Sequence, residues 1–134
     1  MNLISENSLI KNVFLIGLRK NPFPYMKNCD LVVQTSRCEG KSLVIDEAKI
    51  LNKPILSTIY NSVTDQIEDR KTGILVDQNP EEIADGIMNL LKNKELREKL
   101  SSNLSKLDNG IEKELKKYTD LIYWFEWEGL LKDK

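Results

Sequence analysis

The sequence contains no histidine. That removes histidine-based catalytic triads, most zinc hydrolase sites and histidine ligation of haem. Cysteine is nearly absent: Cys29 and Cys38 are the only two. Two are too few for a disulfide framework or a four-thiolate zinc site, and a reducing cytoplasm is the expected location. No long run of one charge sign occurs, and 20 basic against 21 acidic residues leave a net charge of −1. A nucleic-acid binder would carry a basic stripe, so nucleic acid is not an expected partner. The longest apolar runs fall far short of the roughly 20 residues a membrane span needs. The opening stretch MNLISENSLIKN lacks the basic and apolar regions of a signal peptide.

What is present suits one α/β unit. The chain has 134 residues, 40% of them hydrophobic, enough for one domain with its own core. Four short apolar runs begin at Val13, Leu31, Ile55 and Ile74. Each is continuous rather than alternating, as strands covered on both faces of a parallel sheet are. Their starts lie 18, 24 and 19 residues apart, which leaves room for a helix in each gap. Helices are expected over Pro22 to Cys29, Ser42 to Leu51 and Ser62 to Asp69. Another starts at Asn79-Pro80, with Asn79 as cap and Pro80 at the first helical position; its apolar face is Ile83, Ile87, Leu90 and Leu91. A further helix aligns Leu96, Leu100, Leu104 and Leu107. A last one places Ile111, Leu115, Tyr118, Ile122 and Phe125 on one stripe.

One residue breaks the pattern. On the helix from Ser42, positions 43, 44, 47, 48 and 51 share a face. Four of them are Leu43, Val44, Ala48 and Leu51; the fifth is Glu47. A carboxylate facing a core costs several kcal/mol unless it is paired or reaches water. Glu47 either snorkels from the stripe's edge or is kept there for chemistry. Its helix follows a strand ending near Thr35 and the loop Ser36-Arg37-Cys38-Glu39-Gly40-Lys41. Ligands of open α/β sheets bind outside the carboxyl ends of strands, where a helix N-terminus offers N–H groups to phosphate. Gly40 permits close backbone approach. Two carboxylates, Glu39 and Glu47, around an anion site suit a ligand with a sugar at each end, a nucleotide-sugar.

The stretch NPFPYMKNCDLVVQTSRCEGKSLVIDEAKILNKPILST, followed by DQIEDRKTGILVDQNPEEIADGI, resembles the group 1, or family 4, glycosyltransferases of GT-B fold. Glu39 and Glu47 match that family's E-x7-E motif. The resemblance implies a Rossmann-like open parallel sheet with flanking helices and a helical C-terminal tail. It makes residues 1–134 a single partial donor-nucleotide-binding domain, with an α/β core over 12–92 and C-terminal helices over 93–134. It further implies retaining transfer from a UDP- or GDP-sugar without a metal or other cofactor. Glu39, the catalytic-site glutamate, would contact the donor's sugar hydroxyls, and Glu47 the ribose hydroxyls. Gly40, Lys41, Ser42 and Leu43 match the loop whose amides meet the diphosphate. Lys41 and Arg37 either supply cations there or are solvated. Asp65 and Gln66 fall in a loop that faces the donor in the family, or serve as caps or surface residues.

Against that family the chain starts late. By that resemblance the acceptor domain is expected to be absent from this stretch, as are the first two strands of the donor domain with their Gly-rich loop and Arg/Lys pair. The run at Val13 then corresponds to a strand whose neighbours are absent. The expectations are an inactive isolated chain with weak nucleotide affinity, an acceptor-binding domain or partner chain elsewhere, and self-association through a sheet edge and the tail aromatics Tyr118, Tyr123, Trp124, Phe125 and Trp127. Peripheral contact with the inner face of the membrane is a rival role for those aromatics. The alternatives to a donor module are a non-catalytic interaction subunit and the donor half of a split transferase.

Overall fold

Three of the four apolar runs become strands: β1 (Val32–Gln34), β2 (Ile55–Thr58) and β3 (Ile74–Val76). They form one parallel sheet in the order β1-β2-β3, with Val32 opposite Ile55 and Leu56 opposite Ile74. The computed structural model describes residues 3–107. The helices are α1 (Leu3–Glu6), α2 (Phe23–Asn28), α3 (Leu43–Ile50), α4 (Pro80–Lys92) and α5 (Lys94–Ser105), with a 3-10 turn at Val63–Asp65. The expected last helix and the tail aromatics lie outside the described residues.

Central β2 is buried throughout, and its side chains divide between two cores because successive residues point to opposite faces. Ile55 joins Ile45 and Ala48 of α3, together with Tyr60, Val63 and Ile67. Leu56 joins Val76, Leu90 of α4 and Leu100 of α5. This is the covered parallel sheet that continuous apolar runs imply. Gly86 lets α4 sit close: a Cβ there would come within 2.6 Å of Leu56 Cδ1 and 3.0 Å of Val76 Cγ1.

The caps read from the sequence form. Asn79 Oδ1 accepts the Glu82 N–H at 2.8 Å. Asn93 Oδ1 accepts the Leu96 N–H at 2.9 Å and thereby starts α5 directly after α4. Arg97 closes the junction, donating from Nη1 to the Leu90 and Leu91 carbonyls at the end of α4.

Three expectations fail. Val13–Ile16 is not a strand: Phe14 is 73% exposed and Leu15 84%, and no described strand pairs with it. A strand needs a ladder partner, and β1 pairs only with β2. Ser62–Asp69 is not a helix but the single 3-10 turn, anchored by buried Val63 and Ile67. Its Ser, Thr and Asp residues compete for backbone hydrogen bonds and favour turns. Finally, α3 is rotated from the predicted face. Ile45 and Ala48 are fully buried, whereas Leu43 is 72% and Val44 44% exposed. Buried Ser42 is the cause: its Oγ donates to Gln34 Oε1 at 2.8 Å, which turns the 45/48 seam onto the sheet.

Candidate donor site

The carboxyl ends of β1 and β2 position the candidate residues. The loop from Thr35 to Ser42 leaves β1 and runs into α3. Neighbouring segments hold it almost entirely by its carbonyls. Thr58 Oγ1 donates to the Ser36 carbonyl at 2.6 Å and Gln78 Nε2 to that of Arg37 at 3.1 Å. Ser62 Oγ lies 2.8 Å from the Glu39 carbonyl and also within hydrogen-bond reach of that of Gly40, its one proton shared between them. Gln66 Nε2 donates to the Ser42 carbonyl at 2.9 Å. In a planar trans peptide the N–H lies opposite the C=O. Carbonyls turned inward therefore turn the following amides outward. Among the described residues, no acceptor meets the N–H groups of Gly40, Lys41, Leu43 or Val44.

The loop's amides are not all available, however. The Ser42 N–H, expected in the cradle, donates to Gln66 Oε1 at 2.8 Å. Ser42 itself caps α3, its Oγ accepting the Ile45 N–H at 3.4 Å. The free donors of the first helical turn are those of Leu43 and Val44.

Around this cradle, Glu39 is exposed and its Oε1 accepts from Ser36 Oγ at 2.8 Å. Gln34 Nε2 donates to the same Ser36 Oγ at 3.2 Å, so one polar chain runs from Ser42 through Gln34 to Glu39. Glu47 stands one helical turn after Leu43, half-buried, and no described donor engages its carboxylate. A Cβ built on Gly40 would meet nothing within 4 Å, and its φ is not positive. Neither packing nor backbone geometry within the described residues requires glycine there. Lys41 is turned aside to Asp46, Nζ to Oδ2 3.2 Å. Lys49 approaches the other Asp46 oxygen at 4.0 Å; burial lowers its pKa, Asp46 acts against that and Lys41 reinforces it.

Below the loop, the Tyr60 hydroxyl is buried without a hydrogen-bond partner. Burial raises its pKa; Glu39 adds to the rise, while the nearby Ser57 and Ser42 hydroxyls oppose it. A cavity of about 220 Å³ is lined by Gly40, Lys41, Ser62, Asp65 and Gln66. A second, of about 230 Å³, is lined by Thr35, Arg37, Thr58, Gln78, Asn79, Pro80 and Ile83. Among the described residues, no helix is long and apolar enough to cross a membrane.

The structure thus gathers Glu39, Gly40, Lys41, Ser42 and Leu43 on one loop–helix junction, with Glu47 one turn along. Sequence reasoning overlooked the holders Gln34, Ser36, Thr58, Ser62 and Gln78, and left Gln66 undecided. A signal was present: LVVQ and ILST are apolar strands ending in polar residues, and Gln34, Ser57 and Thr58 are all buried.

Comparison with known proteins decides the family. Residues 1–107 match the family described as "Glycosyl transferases group 1". The chain belongs to that glycosyltransferase family. It is 35% identical over 113 residues to the poly(ribitol-phosphate) alpha-N-acetylglucosaminyltransferase of Staphylococcus aureus, covering 83% of this chain and 22% of that protein. It is 35% identical over 108 residues to the alpha-D-kanosaminyltransferase of Streptomyces kanamyceticus, covering 78% and 28%. The chain therefore spans under a third of these relatives. Among solved structures, Staphylococcus aureus TarM bound to UDP, fondaparinux and alpha-GlcNAc-glycerol superposes with a TM-score of 0.71 at 32% identity, over 89% of this chain and 25% of that one. Anabaena HepE with UDP-glucose gives 0.70 at 27% identity, over 75% and 28%. These are GT-B glycosyltransferases, and the parallel sheet with flanking helices corresponds to part of their C-terminal domain.

Proposed function

We propose that this chain is the donor-binding part of a retaining, family 4 glycosyltransferase that moves a sugar from a UDP- or GDP-sugar to an acceptor, in glycan or polysaccharide synthesis. The observation that carries the reading is the loop with carbonyls held inward and four amides left free at a helix N-terminus. Such a cradle suits a diphosphate. Glu39 holds the sugar hydroxyls beside the reacting carbon, and Glu47 the ribose hydroxyls; an unengaged carboxylate is suited to accepting from a diol. The amides and helix dipole stabilise the leaving diphosphate, and no metal ligand forms part of the proposal.

Each cavity is smaller than the roughly 300 Å³ at which small-molecule sites begin. In this reading the chain supplies one wall of the cleft, and an acceptor-binding domain or partner chain supplies the other. The exposed apolar run Val13–Leu18 and the free edge of β1 favour cover by protein, a second copy included, and self-association when they are left bare. The chain alone is not expected to transfer sugar, because positioning the acceptor is worth roughly 7–11 kcal/mol of barrier.

The test is an NMR titration of the chain with UDP and GDP. Shift changes centred on Glu39 to Val44 and on Glu47, saturating with a Kd of order 1 mM, are expected. Shifts confined to other surfaces, or none at millimolar nucleotide, would refute the donor reading.

A further inference from the structure

Gln66 makes the same pair of contacts to Ser42 that a neighbouring strand would make. Its Oε1 accepts the Ser42 N–H at 2.8 Å, and its Nε2 donates to the Ser42 carbonyl at 2.9 Å and to Asp46 Oδ1 at 3.1 Å. Both residues are buried, Gln66 being 8% and Ser42 5% exposed. A primary amide accepts through its oxygen and donates through its nitrogen at the same time without carrying charge. Four residues before it, Ser62 Oγ holds the Glu39 and Gly40 carbonyls.

We infer that Ser62 and Gln66, which flank the 3-10 turn between β2 and β3, are positioning residues of the donor site. The Ser42 carbonyl and the Leu43 N–H belong to one planar trans peptide. Fixing the carbonyl on Gln66 aims the Leu43 N–H the opposite way, out of the protein. Ser62 does the same for the Gly40 and Lys41 amides through the Glu39 and Gly40 carbonyls. Neither side chain need touch the ligand; each sets the direction of donors that do. The turn lines the same cavity as Gly40 and Lys41, so a displacement of the turn moves the cradle with it. The inference rests on the nucleotide-sugar reading and adds to it: the orientation of the diphosphate donors is set from the β2–β3 segment.

The experiment uses the whole chain and two probes, UDP and uridine, with Gln66→Leu, Ser62→Ala and Ser62→Thr. Gln66→Leu and Ser62→Ala are expected to lower UDP affinity about tenfold, the scale of one hydrogen bond to a charged group, and to leave uridine affinity unchanged. Ser62→Thr keeps the hydroxyl and is expected to retain the parent's ratio of UDP to uridine affinity. A general loosening of the fold would weaken both probes together, so equal losses, or no loss, overturn the inference. Amide exchange of the unliganded chain is the second arm. Ser42 N–H should be protected in the parent and exchange at least tenfold faster in Gln66→Leu; an unprotected Ser42 N–H in the parent overturns the clamp. If the parent binds neither probe, the donor reading fails, and the exchange arm alone judges whether Gln66 holds the peptide.

Discussion

Gly40→Ala separates what the fold needs from what a ligand needs. The Cβ would enter open space, with nothing within 4 Å, and the backbone is not in the left-handed region. In the free protein, alanine then costs no packing and restricts the unfolded chain, which stabilises by about 0.4–1 kcal/mol. For a domain of this size that is a rise in Tm of about 2–6 °C. The same methyl points into the space beside the free amides. If a diphosphate lies there, the overlap costs about 1–3 kcal/mol, or a 5- to 150-fold rise in Kd. Stability and affinity therefore move in opposite directions. Thermal unfolding followed by circular dichroism gives the first, and NMR titration with UDP gives the second. An unchanged Kd would show that the ligand does not approach Gly40. A lower Tm would show that the fold itself requires the glycine, and the case for a ligand-facing loop would lose its cleanest support.

Three further outcomes are expected. Glu47→Ala should weaken UDP binding by about 1–3 kcal/mol through lost hydrogen bonds to a charged group; because no described donor engages the carboxylate, unfolding in urea should show no loss of stability, and calorimetric affinity equal to the parent's would remove Glu47 from the site. Glu39→Gln should weaken UDP-glucose more than UDP, since only the former presents a sugar to this side chain, and matched losses would defeat the sugar assignment. Tyr60→Phe should stabilise by about 1 kcal/mol at neutral pH by deleting a buried hydroxyl that lacks a partner. Burial raises the phenol's folded pKa above the usual 10.0, so above that pH the unfolded chain gives up the proton first and the parent loses stability until the folded group titrates too; urea unfolding above pH 10.0 should show the Phe variant's advantage widening, and a constant gap would contradict the buried placement.

Much of this architecture was legible because it depends on local chemistry. Continuous apolar runs gave β1, β2 and β3, and Asn79-Pro80 gave the start of α4. The loop before Ser42 and the helix after it were legible from turn residues and periodicity, and α3 runs from Leu43 to Ile50 with Ser42 as its cap. Two of the three failures share a cause, a distant partner, while the turn at Val63–Asp65 follows from its own polar side chains. Val13–Ile16 has strand composition but no described strand to pair with. The face of α3 was read from apolar periodicity, yet it is fixed by a serine, because Ser42 is tied to Gln34 on β1 and Gln66 beyond β2. That rotation leaves Leu43 and Val44 exposed, and it removes the puzzle of Glu47. The glutamate is not an intruder on a core face, since the core face is formed by Ile45 and Ala48. The face it shares with Leu43 is the outward one.

If this loop holds a diphosphate, the charges around it leave the work to peptide amides. Asp46 lies in the first turn of α3, Glu39 precedes it and Glu47 follows it, so three carboxylates would oppose a diphosphate before any attraction begins. The nearest cations are engaged by only one of them. Lys41 and Lys49 both lean on Asp46, which neutralises that carboxylate rather than the ligand. Arg37 is exposed, pairs with no carboxylate among the described residues and lines the second cavity, at the other end of the loop from Leu43. What remains near Leu43 is a set of oriented N–H groups and the helix dipole, the latter worth roughly 0.3–1 kcal/mol at an exposed terminus. That is enough to orient a diphosphate and too little to hold it tightly, which is why millimolar affinity is expected of this chain. Tighter binding of a diphosphate would need further cations beyond those among the described residues.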